Sequence, residues 1–295
     1  MAFSRRSADL LAIYVCILCA FILQAYIAVI NVKRGKENPM VILAIGDVVG
    51  SGGCEFLRSH LPSLKKLYGV DLVIANGENS ADGNGITPYS ADYLLTSGVD
   101  VITTGNHVFR RREIRGFLED NGRVLRPANF PACTPGSGFC VIDTGRVAVC
   151  VINLIGTVFM DSYESPFLTA DSILKQIGGD VITIVDFHAE ATSEKRALAF
   201  YLDGRVTALF GTHTHVQTAD EEILPGKTGY ITDIGMTGPS VSVLGVESKL
   251  AIQRFLTKMP VKFVNAGAPF IISGVIFDID NKNKTVNSVK RLQIK

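Results

Sequence analysis

From residue 40 to the C-terminus, short apolar runs rich in Val and Ile alternate with stretches whose apolar positions recur at helical spacing. Runs at 41–45, 71–75, 99–103, 147–154, 181–185 and 206–210 are nearly continuous in apolar residues, the pattern of strands covered on both faces. Between them the spacing predicts helices over 55–68, 88–97, 111–119, 168–177 and 193–202, with one more over 248–259. Pro88 suits the first turn of its helix and Gly98 a C-terminal cap. Two strand-like runs, 270–279 and 285–294, flank the turn Asp280-Asn281-Lys282-Asn283. Strands that alternate with helices predict an α/β protein, and a single domain of roughly 250 residues lies within the usual range.

Residues 10–30 break this pattern. They form an apolar run whose clearly polar member is Gln24, with Arg5 and Arg6 before it and Lys33, Arg34 and Lys36 after it. A helix of that length reaches across a bilayer's hydrocarbon core, and no convincing small-residue cleavage site follows it. The expectation is an N-terminal extension over 1–39 with a transmembrane helix at 10–30, and a catalytic domain over 40–295. The slight basic excess after the run favours the C-terminal side in the cytoplasm, which puts an anchored catalytic domain at the inner membrane. A competing reading is that a complete domain starts at Met40, directly before the first strand.

Composition narrows the field. With a net charge of +1 and 19% charged residues, no broad basic face is implied, so a duplex nucleic-acid surface is not expected. Small anionic substrates and RNA remain open. The cysteines at 16, 19, 54, 133, 140 and 150 show no disulfide-module spacing and read as reduced, mostly buried small hydrophobes.

The candidate chemistry sits where the strands end. In open α/β sheets ligands gather at the carboxyl ends of strands. There the sequence places Gly46-Asp47, Asn76-Gly77-Glu78-Asn79, Gly105-Asn106-His107, Asp186-Phe187-His188 and Gly211-Thr212-His213-Thr214-His215. In an extended backbone His213 and His215, two apart, would face one point in space. A lone His-x-His is equally a strand end with two solvated histidines, and a single Asp or Asn at a strand end is more often a turn or cap residue. The coincidence matters more: four of five histidines lie at such ends, His60 being the exception in a helix-like stretch. Carboxylates, amide oxygens and imidazoles without thiolate suit divalent Fe, Mn, Zn or Co. Their number exceeds one tetrahedral site and suits two ions roughly 3.5 to 4 Å apart, which would clamp a phosphoryl group and activate a bridging water. The cluster Arg110-Arg111-Arg112 reads most simply as a solvated helix face.

The segments G-D-V-V-G (46–50), A-N-G-E-N (75–79), T-G-N-H (104–107), D-F-H-A-E-A-T-S-E-K (186–195) and G-T-H-T-H-V-Q-T-A-D (211–220) closely resemble the YmdB-like family of calcineurin-like metallophosphoesterases. The likeness continues through R-P-A-N-F-P (126–131) and D-I-G-M-T-G-P (233–239), essentially from Met40 to Lys295. It implies a four-layer αββα sandwich and a dinuclear centre, iron first among the candidates, that hydrolyses phosphodiesters, notably 2',3'-cyclic nucleotides. Carried over by motif, Asp47, Glu78 and His215 would hold one ion, and Glu78, Asn106, His188 and His213 the other. Glu78 would be the bridge. Asn79 would lie beside the site, touching metal or substrate, and His107 would protonate the leaving oxygen. Three features depart from the pattern. Asp47 is followed by Val48-Val49 instead of the usual D-x-H, which fits the YmdB-like branch. After His107 comes Val108-Phe109-Arg110 without an acidic residue, and residues 1–39 have no counterpart.

Two other functions remain open at this level: a regulatory protein that uses the metals to bind a nucleotide or partner with incidental turnover, and a membrane-anchored structural protein. His107 argues against the first, since a binder needs no proton donor. The second leaves the histidines unexplained.

Overall fold

In the computed structural model, which describes residues 39–161 and 163–295, thirteen strands and six helices are found among the described residues. The strands are β1 (Met40–Ile45), β2 (Asp47–Val48), β3 (Leu72–Asn76), β4 (Val101–Thr103), β5 (Phe139–Asp143), β6 (Ala148–Ile155), β7 (Ile182–His188), β8 (Ala208–Thr212), β9 (Glu222–Ile223), β10 (Gly229–Ile231), β11 (Met236–Pro239), β12 (Phe270–Asp280) and β13 (Thr285–Ile294). The helices are α1 (Gly50–Tyr68), α2 (Pro88–Thr96), α3 (Ile114–Asp120), α4 (Pro166–Ile177), α5 (Thr192–Leu202) and α6 (Ser248–Thr257).

The alternation of side chains along β1 defines the layers. Val41, Leu43 and Ile45 pack with Leu57 and Leu61 of α1 and Leu94 of α2 in one cluster. Met40, Ile42 and Ala44 face the other way, against Ile182 and Ile184 of β7 and Ala208 and Phe210 of β8. In the second sheet Val185 and Phe187 turn outward onto Leu198 and Leu202 of α5. Two sheets therefore meet face to face, with helices outside each: the expected four-layer αββα sandwich. Both-face burial explains why these strands read as continuous apolar runs.

One sheet has the order β2-β11-β12-β1-β3-β4, with β13 also paired to β12; the other has the order β5-β6-β7-β8-β10-β9. β1, β3 and β4 run parallel, and so do β6, β7, β8 and β10. Their carboxyl ends therefore collect the loops that follow them.

Helix α1 begins at Gly50, five residues before the expected start. Glycines weaken a helix by propensity, yet a Cβ on Gly53 would lie 2.6 Å from the Thr237 carbonyl oxygen. Close packing against β11 requires glycine there and overrides propensity. Helix α3 starts at Ile114, not at residue 111. The Arg111 guanidinium donates to the carbonyls of Asp82 and Asn84, so that arginine ties two loops together instead of lying on a solvated helix face. Thr87 caps α2 through a reciprocal box with Ser90, ahead of Pro88 as anticipated.

The cysteines at 54, 133, 140 and 150 are free. The apolar run at 10–30 and the cysteines at 16 and 19 lie outside the described residues. Among the described residues no helix is long and apolar enough to cross a membrane.

Candidate metal centre

Five strand ends converge. Glu78, in the loop after β3, is buried, and its Oε1 lies 3.2 Å from His188 Nε2, at the end of β7, and 3.3 Å from His107 Nδ1, after β4. Its Oε2 accepts the His107 backbone N–H at 3.1 Å. Around His188 Nε2 gather Asn106 Oδ1 at 3.1 Å and His213 Nδ1 at 3.0 Å. Donor atoms of Glu78, His188 and His213 all fall within 4.8 Å of one another. Beside this group Asp47, fully buried after β1, has Oδ1 at 3.6 Å from His215 Nε2 and 4.0 Å from His188 Nδ1. That Oδ1 accepts no hydrogen bond, while Oδ2 takes the His213 N–H at 3.1 Å.

Asn79 links the two groups. Its Nδ2 donates to Glu78 Oε1 at 3.2 Å and reaches His215 Nε2 at 3.2 Å, while its Oδ1 is 3.0 Å from His107 Nδ1. Because a carbonyl oxygen only accepts, His107 carries its proton on Nδ1 in this arrangement. All seven expected ligands and His107 thus lie in one connected cluster. His60 stays apart in α1, bonded to the Phe56 carbonyl oxygen at 2.9 Å.

His213 and His215 reach the site by a route different from the expected one. Instead of an extended strand, both take left-handed backbone, φ 100° and 63°. The imidazoles diverge, His213 toward His188 and Glu190 (Nε2 to Oε2, 3.0 Å) and His215 toward Asp47 and the Leu244 carbonyl oxygen. Such conformations cost of order 1–3 kcal/mol each and persist only where the surroundings fix them. Here the surroundings do so: Asp47 accepts the His213 N–H, and Asp233 accepts the Thr214 N–H at 3.1 Å. Asp233 is itself paired with fully buried Lys195 at 2.7 Å.

The sequence reading missed a polar layer behind His188. Its Nδ1 meets Thr212 Oγ1 at 2.9 Å, and that hydroxyl also donates to Asp186 Oδ1 at 2.7 Å. Asn76 and Thr103 donate to the other Asp186 oxygen. The signal was present: Asp186 and His188, two apart on a strand, share its inner face. Glu190, beside His213, carried no comparable signal.

Electrostatics follow from this crowding. Burial pushes the Asp47 carboxyl up, but the His215 imidazole 3.6 Å away and the charge of His188 outweigh it and hold it below the usual value. Glu78 is held well below by His188 and His107 against the same burial. Burial and the neighbouring His188 charge lower His213 to about 4, whereas Asp47 overcomes burial to raise His215 to about 9. Burial raises Asp186 to about 6 despite its hydroxyl donors. The cluster holds ionised carboxylates and crowded imidazoles, and the unpartnered buried Asp47 oxygen is what a cation would satisfy. Small residues admit this closeness: a Cβ on Gly105 would sit 2.2 Å from both Glu78 Oε2 and the His188 ring.

The family model described as YmdB-like protein matches residues 43–292. The chain belongs to the YmdB-like family. A Bacillus subtilis (strain 168) relative named 2',3'-cyclic-nucleotide 2'-phosphodiesterase is 46% identical over 86% of this chain and 97% of its own length. A solved structure from Mycoplasma pneumoniae, described as a novel phosphatase, superposes with a TM-score of 0.83 at 33% identity, over 88% of this chain and 94% of that one. The Haemophilus influenzae NAD nucleotidase shares the fold at a TM-score of 0.56 and 16% identity, over 88% of this chain and 56% of that one. The residues that the family model matches include the whole strand-end cluster.

Proposed function

We propose that this family member is a metal-dependent phosphodiesterase acting on 2',3'-cyclic nucleotides, with two divalent cations held by the strand-end cluster. The observation that carries the reading is Glu78, a buried carboxylate within 3.3 Å of imidazole nitrogens from two different strand ends. The broader statement, a metal-dependent phosphoesterase, rests on the family and on relatives named as phosphodiesterase and phosphatase. The cyclic-nucleotide substrate follows the Bacillus subtilis relative.

Glu78, Asn106, His188 and His213 would hold one ion and Asp47, Glu78 and His215 the other, with iron the first candidate and manganese, zinc or cobalt alternatives. When bound, such a pair supplies positive charge for the phosphoryl oxygens and a more acidic water. The protein's own part is to fix geometry and move a proton. Asn79 and Glu78 engage His107 Nδ1–H, so in the doubly protonated imidazolium the Nε2–H is the one that would pass to the departing ribose oxygen, leaving the neutral ring with its proton on Nδ1. Asn79, with both ends of its amide engaged inside the cluster, orients His107 and borders the substrate. A protein that only bound nucleotide through the cations would need no such donor.

The test is an assay of the metal-loaded full chain on 2',3'-cyclic nucleotides, other cyclic mononucleotides, linear diesters, monoesters and RNA, with elemental analysis of the same preparation. The reading expects the highest kcat/KM on 2',3'-cyclic diesters. Hydrolysis of monoesters alone would overturn it.

A further inference from the structure

β6 ends beside the metal-binding end of β7, where the Gly156 N–H donates to the His188 carbonyl oxygen at 3.0 Å. The connection from β6 to α4 therefore leaves the sheet next to the centre. It is pinned on both sides. At its start the buried Glu194 carboxylate accepts the N–H groups of Thr157 and Val158 and the Thr157 hydroxyl, and Gly156 admits that carboxylate because a Cβ there would lie 2.5 Å from Glu194 Oε2. At its end Asn129 exchanges hydrogen bonds with the Glu164 backbone on one side and the Ile155 backbone on the other.

Between these clamps Phe159 is 89% exposed and has φ 62°. Single exposed apolar residues are ordinary, but a bulky side chain on left-handed backbone, held out into solvent, is a conformational outlier. Phe159 is three positions after Gly156, so its Cα lies within about 11 Å of the strand end bonded to His188.

A second aromatic group lies near the other end of the same connection. The Tyr163 ring packs on Phe130 with centroids 4.6 Å apart, and Phe130 packs on Phe109 at 5.7 Å, two residues beyond His107. This row runs from the loop carrying the proposed proton donor to the β6–α4 connection. Burial, with the charge and hydrogen bond of Asp161, raises the Tyr163 phenol to about 12, so it stays protonated.

We propose that Phe159 and Tyr163 form the nucleobase subsite: Phe159 supplies the stacking face for the base of a nucleotide whose phosphate lies at the Glu78 cluster, and Tyr163 forms the inner wall. This deepens the phosphodiesterase reading and rests on it for the position of the phosphate. A ring face stacks any base and favours the larger one, so purine nucleotides should bind more tightly than pyrimidine nucleotides. Phe159 acts on binding, not on bond breaking.

The experiment uses the full-length, metal-loaded chain and its Phe159→Ala and Phe159→Trp variants. Calorimetry measures binding of adenosine 3'-monophosphate and of inorganic phosphate. Kinetics compare 2',3'-cyclic AMP with glycerol 1,2-cyclic phosphate, a five-membered cyclic diester that has no base. The proposal expects Phe159→Ala to weaken the adenosine nucleotide by roughly 10-fold and to raise KM for cyclic AMP similarly with kcat held, since only uniform binding is lost. Losses on phosphate and on the base-free diester should be far smaller, and Phe159→Trp should recover the parent values. Equal losses on ligands with and without a base, or no loss on any, would overturn the subsite. The two readings fail differently: nucleotide binding that depends on Phe159 without hydrolysis of any diester would sink the phosphodiesterase reading and leave the subsite standing.

Discussion

His107 is the residue on which the proposed chemistry turns. If it only stabilised its neighbours, its removal would disturb the whole cluster, because its ring touches Asn79 and Glu78. As proton donor, His107→Gln should keep metal content near that of the parent and slow hydrolysis of 2',3'-cyclic AMP by roughly 10²- to 10⁴-fold. A nitrophenyl phosphodiester, whose leaving oxygen needs little protonation, should show a much smaller defect. Equal defects on both substrates, accompanied by lost metal, would assign it a supporting role instead. At this scale the sequence anticipated which residues gather better than how they meet. Asp47, Glu78, Asn106, His107 and His188 were legible because each follows a recognisable strand. The alternation rule failed for His213 and His215, whose left-handed backbone is fixed by hydrogen bonds to Asp47 and Asp233 from distant parts of the chain.

Those bonds make a buried ion pair the support of a whole element. Lys195 of α5 and Asp233 are both fully buried, and Asp233 also holds the Thr214 and Gly235 N–H groups. Removing one partner leaves an uncompensated charge, so Lys195→Met should destabilise the fold by about 3–5 kcal/mol. Adding Asp233→Asn should return part of that loss. Urea unfolding measures both, and an unchanged midpoint for Lys195→Met would show that the pair does not support the loop. The elements themselves were legible where burial on both faces left long apolar runs, as in β1, β7 and β12. β5, β9, β10 and β11 were not: β9 has two residues, β10 three, and β11 contains Gly238 and Pro239, so local pattern carries little signal there. The early start of α1 was hidden for the converse reason, since Gly53 answers to packing against Thr237 and Gly52 to packing against the Phe270 ring, not to helix propensity.

For the whole molecule, the four-layer architecture was implied by family resemblance, while strand alternation alone could not say which sheets face each other. The resemblance and the site both lie beyond Met40, and residues 40–295 form one compact unit. A chain cut to start at Met40 should therefore fold and hydrolyse the same diesters as the full chain, with circular dichroism and the assay as readouts; an insoluble, inactive product would show that the preceding residues belong to the working fold. The central claim, a two-cation centre bridged by Glu78, is tested most directly by elemental analysis of parent and Glu78→Ala proteins alongside their rates on 2',3'-cyclic AMP. The account predicts about two transition-metal ions per parent chain, a marked fall in the variant, and loss of activity in step with the metal. Full activity of Glu78→Ala after exhaustive chelation would contradict it.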